Sequence, residues 1–364
     1  MRWSWRLGRI AGINVEIHAT FAFLLAWIAL LAWQETRSAA GVLEALVFIL
    51  AVFASVILHE YGHALTARRY GVRTRSITIL PIGGVASLER MPSKPSEELA
   101  IAIAGPVVTV AIVIVLYVLL RVTGGPVVVA DPEFTGAPFL TRLMWVNVIL
   151  AVFNLLPAFP MDGGRVLRAA LAMRFDYVQA TKIAAVLGRM FALLFGIYGL
   201  FSNPFLVFIA IFVWMGATGE SWSVQLQSAL RGLPVERVMI RDLRTVRPDD
   251  SLARAVDHLL AGFQQDFPVV DGNGVVGVLT RTDLVKALTQ HGASAPVSVA
   301  MRSDFLVAHP GEPLEEAFAR LQGSKTHTMP VVQDGVLLGV LTLDNVGEFF
   351  MVHGAASKSR ASSS

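Results

Sequence analysis

The 364-residue chain contains no cysteine. That excludes disulfides and thiolate metal ligands, so any metal site must be built from His, Asp, Glu and water. Charge is scarce as well: 16 % of residues are Asp, Glu, Lys or Arg, against 54 % hydrophobic and a mean hydropathy of +0.60. An ordinary soluble enzyme is excluded by that balance, which points to an integral membrane protein with a soluble part. The net charge of +3 is too small to indicate nucleic acid as a partner; basic loops facing an anionic lipid bilayer account for it. The poverty in charge is uneven. Up to about residue 225 the chain is apolar segments joined by short basic loops, and residues 232–353 read as soluble α/β. We therefore expect a transmembrane domain over 1–224, a soluble domain over 225–353 and a disordered Ser-rich tail over 354–364.

Three Arg precede an apolar stretch at 17–33, which is long for a signal peptide and reads as an uncleaved first span. Further spans are expected at 43–65, 99–120 and 140–156. The uncharged stretch 190–219, interrupted at Ser202-Asn203-Pro204, makes two more if the first begins near Val178. Arg189 then either snorkels or faces the protein interior. Basic residues crowd alternate loops: Arg2, Arg6 and Arg9; then Arg68, Arg69, Arg73, Arg75, Arg90 and Lys94; then Arg165, Arg168, Arg174 and Lys182. The loops between hold Arg37 alone, or Arg121 and Arg142 offset by Asp131 and Glu133. The positive-inside rule converts this alternation into six spans with both termini cytoplasmic.

The second span ends in His59-Glu60-Tyr61-Gly62-His63. Residues four apart share a helix face, so both imidazoles can reach one Zn²⁺, and Glu60, one step round, can deprotonate a water there. Ionisable groups inside a membrane are costly and imply function; the alternative is a helix end meeting headgroups and water. The fourth span ends in Asn154-Leu155-Leu156-Pro157-Ala158-Phe159-Pro160-Met161-Asp162-Gly163. Its two prolines stop the helix. Non-helical backbone at membrane depth is tolerated only where protein or a watery cavity surrounds it. Asp162 either completes a His₂Asp zinc site with one open position or caps the helix that starts near Gly163.

Together these motifs resemble those of the site-2 protease family of intramembrane zinc metalloproteases, peptidase family M50, in the subgroup with C-terminal CBS domains. The family carries HExxH in one span and N-x-x-P-x-x-P-x-D-G at the end of a later one, here His59 to His63 and Asn154 to Gly163, with Ala104-Gly105-Pro106 in the span between. The resemblance covers residues 1–224. It implies one Zn²⁺ per chain on His59, His63 and Asp162, with Glu60 as catalytic base. It also implies that Asn154 places the substrate backbone or oxyanion, which an Asn side chain can do by donating a hydrogen bond; an Asn bonding its local backbone is the alternative. Substrates would be transmembrane proteins, cut in regulated intramembrane proteolysis. Residues 77–88, β-branched around Gly83-Gly84, read as a short hairpin whose open edge can take a substrate as an added strand. His18 is either interfacial or near a substrate gate, and Gly105-Pro106 packs helices.

Residues 232–353 repeat at an offset of 62. Pro268-Val269-Val270 matches Pro330-Val331-Val332, and Gly277-Val278-Leu279-Thr280 matches Gly339-Val340-Leu341-Thr342. Each copy, 232–291 and 294–353, reads as strand, helix, strand, Gly turn, strand, helix. This resembles a tandem CBS pair, which implies a regulatory module holding an adenine nucleotide, with Thr280 and Asp283 at the ribose. The second copy has Asn345 where the first has Asp283, so one site is expected rather than two. Alternatively the pair docks or dimerises the chain. The expected fold is thus a polytopic α-helical membrane domain of six spans with a short membrane-associated β-hairpin, followed by a soluble α/β tandem CBS domain. A CBS-gated transporter or channel is the competing reading. It predicts ionisable residues along several spans and repeats within the membrane part, and the sequence has neither.

Overall fold

The computed structural model describes residues 3–88, 94–127, 137–262, 264–272, 274–324 and 326–362. Arg2, Arg90, Asp131 and Glu133, counted above among the loop charges, lie outside them. The chain divides into two compact units, Met1–Val224 and Gln225–Ser364.

In the first unit the apolar runs become helices whose ends follow local chemistry. α1 (Ala19–Thr36) is capped by His18, whose Nδ1 accepts from the Thr20 amide at 3.3 Å. α2 (Ala39–Arg69) is capped by Ser38, which accepts from the Ala40 amide at 3.2 Å. α3 (Pro95–Thr123) begins with Pro and carries Glu97 and Glu98 in its first turn, where the helix dipole favours both. α4 (Phe139–Asn154), α5 (Asp162–Ala172), α6 (Tyr177–Ser202) and α7 (Pro204–Leu230) follow. The break between α6 and α7 falls at Asn203, as the sequence suggests.

Among the described residues five helices, α1, α2, α3, α6 and α7, are long and apolar enough to cross a membrane. The remaining expected span is the 16-residue α4, about 24 Å long at ~1.5 Å per residue and shorter than a hydrocarbon core of about 30 Å. It stops at Asn154 because Pro157 and Pro160 cannot continue it. Irregular backbone then leads into α5.

The expected hairpin is present as β3 (Thr74–Leu80) and β4 (Gly83–Leu88), but it is half of a larger sheet. The N-terminal residues add β1 (Ser4–Ile10) and β2 (Ile13–His18), giving a four-stranded sheet of order β1-β2-β3-β4. β2 and β3 run parallel, from Asn14 beside Ser76 to Ile17 beside Ile79; a parallel pair needs a long crossover, and α1 with α2 supplies it. Ile13, Val15, Ile77 and Ile79 bury against Phe21, Phe53 and Tyr61. Polar contacts fasten the β1–β2 turn to α2: the Tyr61 hydroxyl donates to the Ile10 carbonyl and Arg68 to the Ala11 carbonyl, each at 3.1 Å.

The second unit contains two similar halves. One has α8 (Leu252–Leu260), β5 (Phe267–Asp271), β6 (Gly274–Leu279) and α9 (Arg281–His291); the other has α10 (Leu314–Gln322), β7 (Thr328–Gln333), β8 (Val336–Thr342) and α11 (Leu343–Ser362). The opening strand expected in each copy is reduced to a bridge, Val246 beside Val269 and Ala308 beside Val331. The copies exchange their opening segments. Val235 and Val238 pack with Leu314, Phe318, Met329 and Val346 of the second copy. Val297 of the second copy packs with Val246, Leu252, Phe267 and Leu279 of the first. Backbone pairing follows the same exchange, with Ile240 against Val340 and Arg302 against Val278. α11 is helix as far as Ser362.

α2 and α3 approach closely at Gly62, where a Cβ would lie 2.7 Å from the Ala104 carbonyl oxygen. Gly62→Ala is therefore expected to destabilise the membrane unit by about 1–3 kcal/mol, read as a lower melting temperature in detergent. Unchanged melting would mean that the two helices part freely.

Candidate active site

Three side chains from two distant parts of the first unit converge. α2 turns His59 and His63 to one face, and α5 begins at Asp162; all three are buried. Each Nε2 lies 3.0 Å from Asp162 Oδ2, and the two Nε2 atoms lie 3.1 Å apart. Asp162 is the first helical residue and not the cap. The cap is Met161, which makes no side-chain cap bond. The carboxylate is thus free to face the imidazoles, at a helix end whose dipole favours negative charge.

The other ring nitrogens identify the tautomers. His63 Nδ1 lies 2.7 Å from the Ile101 carbonyl, which can only accept. His59 Nδ1 lies 2.9 Å from Thr109 Oγ1, whose proton goes to the Gly105 carbonyl at 3.4 Å. With both Nδ1 atoms donating, neutral rings present bare Nε2 lone pairs, the usual arrangement of a metal-binding histidine held by outer partners. Two lone pairs and a carboxylate oxygen then face each other, an arrangement that calls for a cation. Donors spaced this way can all lie about 2 Å from one zinc ion. The residues fit zinc, and among the described residues they form the only such group of three.

α3 reaches the donors at Gly105, where a Cβ would lie 2.2 Å from His63 Nε2 and 2.7 Å from His59 Nε2. The expected packing role of Gly105 is therefore packing against the donors themselves. Glu60 is half-buried and stands outside the donor trio, and no described residue hydrogen-bonds its carboxylate. It faces the β3–β4 turn: a Cβ on Gly84 would lie 2.7 Å from Glu60 Cγ. β4, an outer strand of the sheet, thus starts beside Glu60. Asn154 closes α4, half-buried, and no described residue hydrogen-bonds its side chain; the bond to local backbone is not made. The sequence reading missed Thr109 and the Ile101 carbonyl. A Thr in an uncharged span was a signal for the first; a backbone carbonyl offers none.

In the second unit Thr280 and Asp283 also come together. Thr280 caps α9, accepting from the Asp283 amide at 3.1 Å and donating to Asp283 Oδ2 at 2.6 Å. Arg302 grips the same carboxylate, Nη2 to Oδ1 at 2.7 Å and Nε to Oδ2. The Arg302 hydrogen bonds hold the Asp283 carboxyl below its ordinary range; partial burial opposes them and the Thr280 bond adds to them. In the second copy the Asn345 side chain donates to the Val238 carbonyl, tying the two copies together.

Peptidase family M50 matches residues 47–196, and the CBS domain matches 235–290 and 297–350. The chain is 34 % identical to zinc metalloprotease MJ0392 of Methanocaldococcus jannaschii over 347 residues, 95 % of this chain and 96 % of that protein. It is 28 % identical to stage IV sporulation protein FB of Bacillus subtilis over 193 residues, 53 % of this chain and 59 % of that one. Among solved structures, the site-2 protease from Methanocaldococcus jannaschii matches at 40 % identity and a TM-score of 0.45, over 60 % of this chain and 95 % of that one.

Two outcomes are expected. Gly105→Ala puts a methyl group among the donors and loses most of the bound zinc, whereas Thr109→Val keeps it but binds it about 10–100-fold more weakly; metal analysis and chelator competition measure the two. Arg302→Gln tests the carboxylate. A depressed Asp283 pKa stabilises the fold above the ordinary carboxylate range, and that contribution is lost as pH falls through the folded value. The variant should melt below the wild type at neutral pH, and the gap should close in acid. A gap that does not change with pH would count against the ion pair.

Proposed function

The chain belongs to peptidase family M50, and on that premise we propose that this zinc metalloprotease cuts peptide bonds within or beside the transmembrane segments of other membrane proteins. The observation that carries this is the convergence of His59, His63 and Asp162, with Glu60 beside them, on helices of which α2 is long enough to cross a membrane. Family membership and the metalloprotease relatives remove the transporter reading.

His59 and His63 are the nitrogen ligands and Asp162 the oxygen ligand. Zinc held there would supply Lewis acidity to a water and to the scissile carbonyl. Glu60 takes the proton of the attacking water and returns it to the leaving amine nitrogen. Its half-buried side chain, whose carboxylate no described residue hydrogen-bonds, suits a group that must handle a proton twice. Asn154 donates its amide N–H to the substrate backbone or the developing oxyanion. A transmembrane helix has its amides already paired and must be unwound before it can be cut. β4 offers an outer edge that starts beside Glu60, where an extended segment can add as a further strand through main-chain hydrogen bonds. Both termini are assigned to the cytoplasm, which puts the CBS pair on that side. The pair regulates cleavage by taking an adenine nucleotide at Thr280 and Asp283, and the nucleotide must compete with Arg302 for the carboxylate.

Glu60→Gln should keep the wild-type zinc content and lose about 10²–10⁴-fold in cleavage of single-span substrates; cleavage near the wild-type rate would end the general-base role. Asn154→Ala should lower kcat by about 10²–10³-fold. Regulation is checked by cleavage with and without AMP, using protein shown to bind it. Equal rates would rule regulation out.

A further inference from the structure

Away from the zinc donors, the membrane unit buries a second set of charges. The Arg168 side chain on α5 is 1 % exposed. Its Nε donates to Glu98 Oε1 at 2.7 Å, its Nη2 reaches the same oxygen at 2.5 Å, and its Nη1 donates to Glu220. Glu98 starts α3 and is 5 % exposed, and Glu220 stands on α7. Two rings cover the guanidinium: Phe159, with its centroid 5.1 Å from Cζ, and Tyr177 at 5.2 Å. One Arg and two carboxylates buried together are costly to desolvate, and an apolar cluster of the same volume would often stabilise the fold as well or better.

Two of these contacts, Glu98 and Phe159, lead to a zinc donor by a short path. Glu98 lies one helical turn before Ile101, whose carbonyl accepts from His63 Nδ1 at 2.7 Å. Phe159 lies three residues before Asp162, and Arg168 shares a helix with Asp162. Arg168 therefore joins the helix that orients His63 to the helix that presents Asp162. We propose that Arg168 is a positioning residue of the metal centre, clamping α3 to α5 so that the Asp162 oxygen meets both Nε2 atoms. It touches no donor and acts through Glu98 and Phe159. A planar guanidinium can engage two carboxylates while stacking between two rings, whereas an ammonium group cannot do both. The inference rests on the zinc reading above.

Removing Arg168 alone would strand two buried carboxylates and destabilise the fold for that reason. The decisive variant is therefore E98Q/R168M/E220Q, which removes all three charges together, with R168K beside it. Full-length protein in detergent is melted metal-free, loaded with zinc and titrated with a chelator, and separately loaded with cobalt(II), whose visible spectrum reports donor geometry. The triple variant should melt like the wild type when metal-free, release zinc about 10–100-fold more readily and show an altered cobalt spectrum, and R168K should move in the same direction. Wild-type zinc retention and cobalt spectrum in the triple variant would overturn the inference. So would a metal-free melting temperature that falls in step with the zinc loss, because the cluster would then be structural alone. A wild type that holds no stoichiometric zinc would sink the zinc reading itself, and this inference with it.

Discussion

Two imidazole lone pairs and a carboxylate oxygen held within 3.1 Å of one another repel, and they do so in buried surroundings where electrostatic forces are strong. Only a cation turns that repulsion into attraction, and much of the membrane unit serves to keep the three atoms together until one arrives. Gly105 lets α3 approach the donors without a side chain in between. Ile101 and Thr109, two turns apart on α3, take the far nitrogens of the two rings and so point the near ones inward. Pro157 and Pro160 end α4 early enough for Asp162 to enter from a second direction. A metal centre whose donors come from two helices and are oriented by a third is rigid only if those helices cannot slide.

The same helix that holds two donors also positions the sheet. Tyr61 and Arg68 hold the β1–β2 turn, and Glu60 meets the β3–β4 turn at Gly84. The reacting centre and the strand edge beside it are therefore referred to one rigid element. That suits a reaction in which an extended backbone must lie at a fixed distance from the attacking water.

The donors were legible in the sequence because their spacing is a property of the helix itself. Two His four apart must share a face, and Pro-x-x-Pro-x-Asp must break a helix just before the carboxylate. What orients those donors was not legible: Thr109 and Ile101 lie about 40–50 residues from the histidines on another helix, and periodicity within one helix says nothing about its neighbour. Half of the sheet was missed for a related reason. Ile13, Val15 and Ile17 alternate as a strand should, yet they run into an apolar span and their parallel partner lies beyond two helices. In the second unit the 62-residue offset tells which residues correspond and not which ones touch, so the exchange between copies could not be seen.

That exchange bears on how the chain is made. Leu226, Leu230, Val235 and Val238 share a core with residues as late as Val346, so they leave the ribosome about 100 residues before their partners, roughly 5–20 s at ordinary elongation rates. Through that interval four large apolar side chains beside a membrane segment have nothing to pack against. Neither half can close its core alone, and contacts this far apart in sequence form slowly. The first half has all of its core once Met301 is made, whereas the half that holds Val235 and Val238 is expected to close only near the end of synthesis. A stop codon before β7 would leave Leu226, Leu230, Val235 and Val238 without the core they share, while every residue of the first half's core would already have been made.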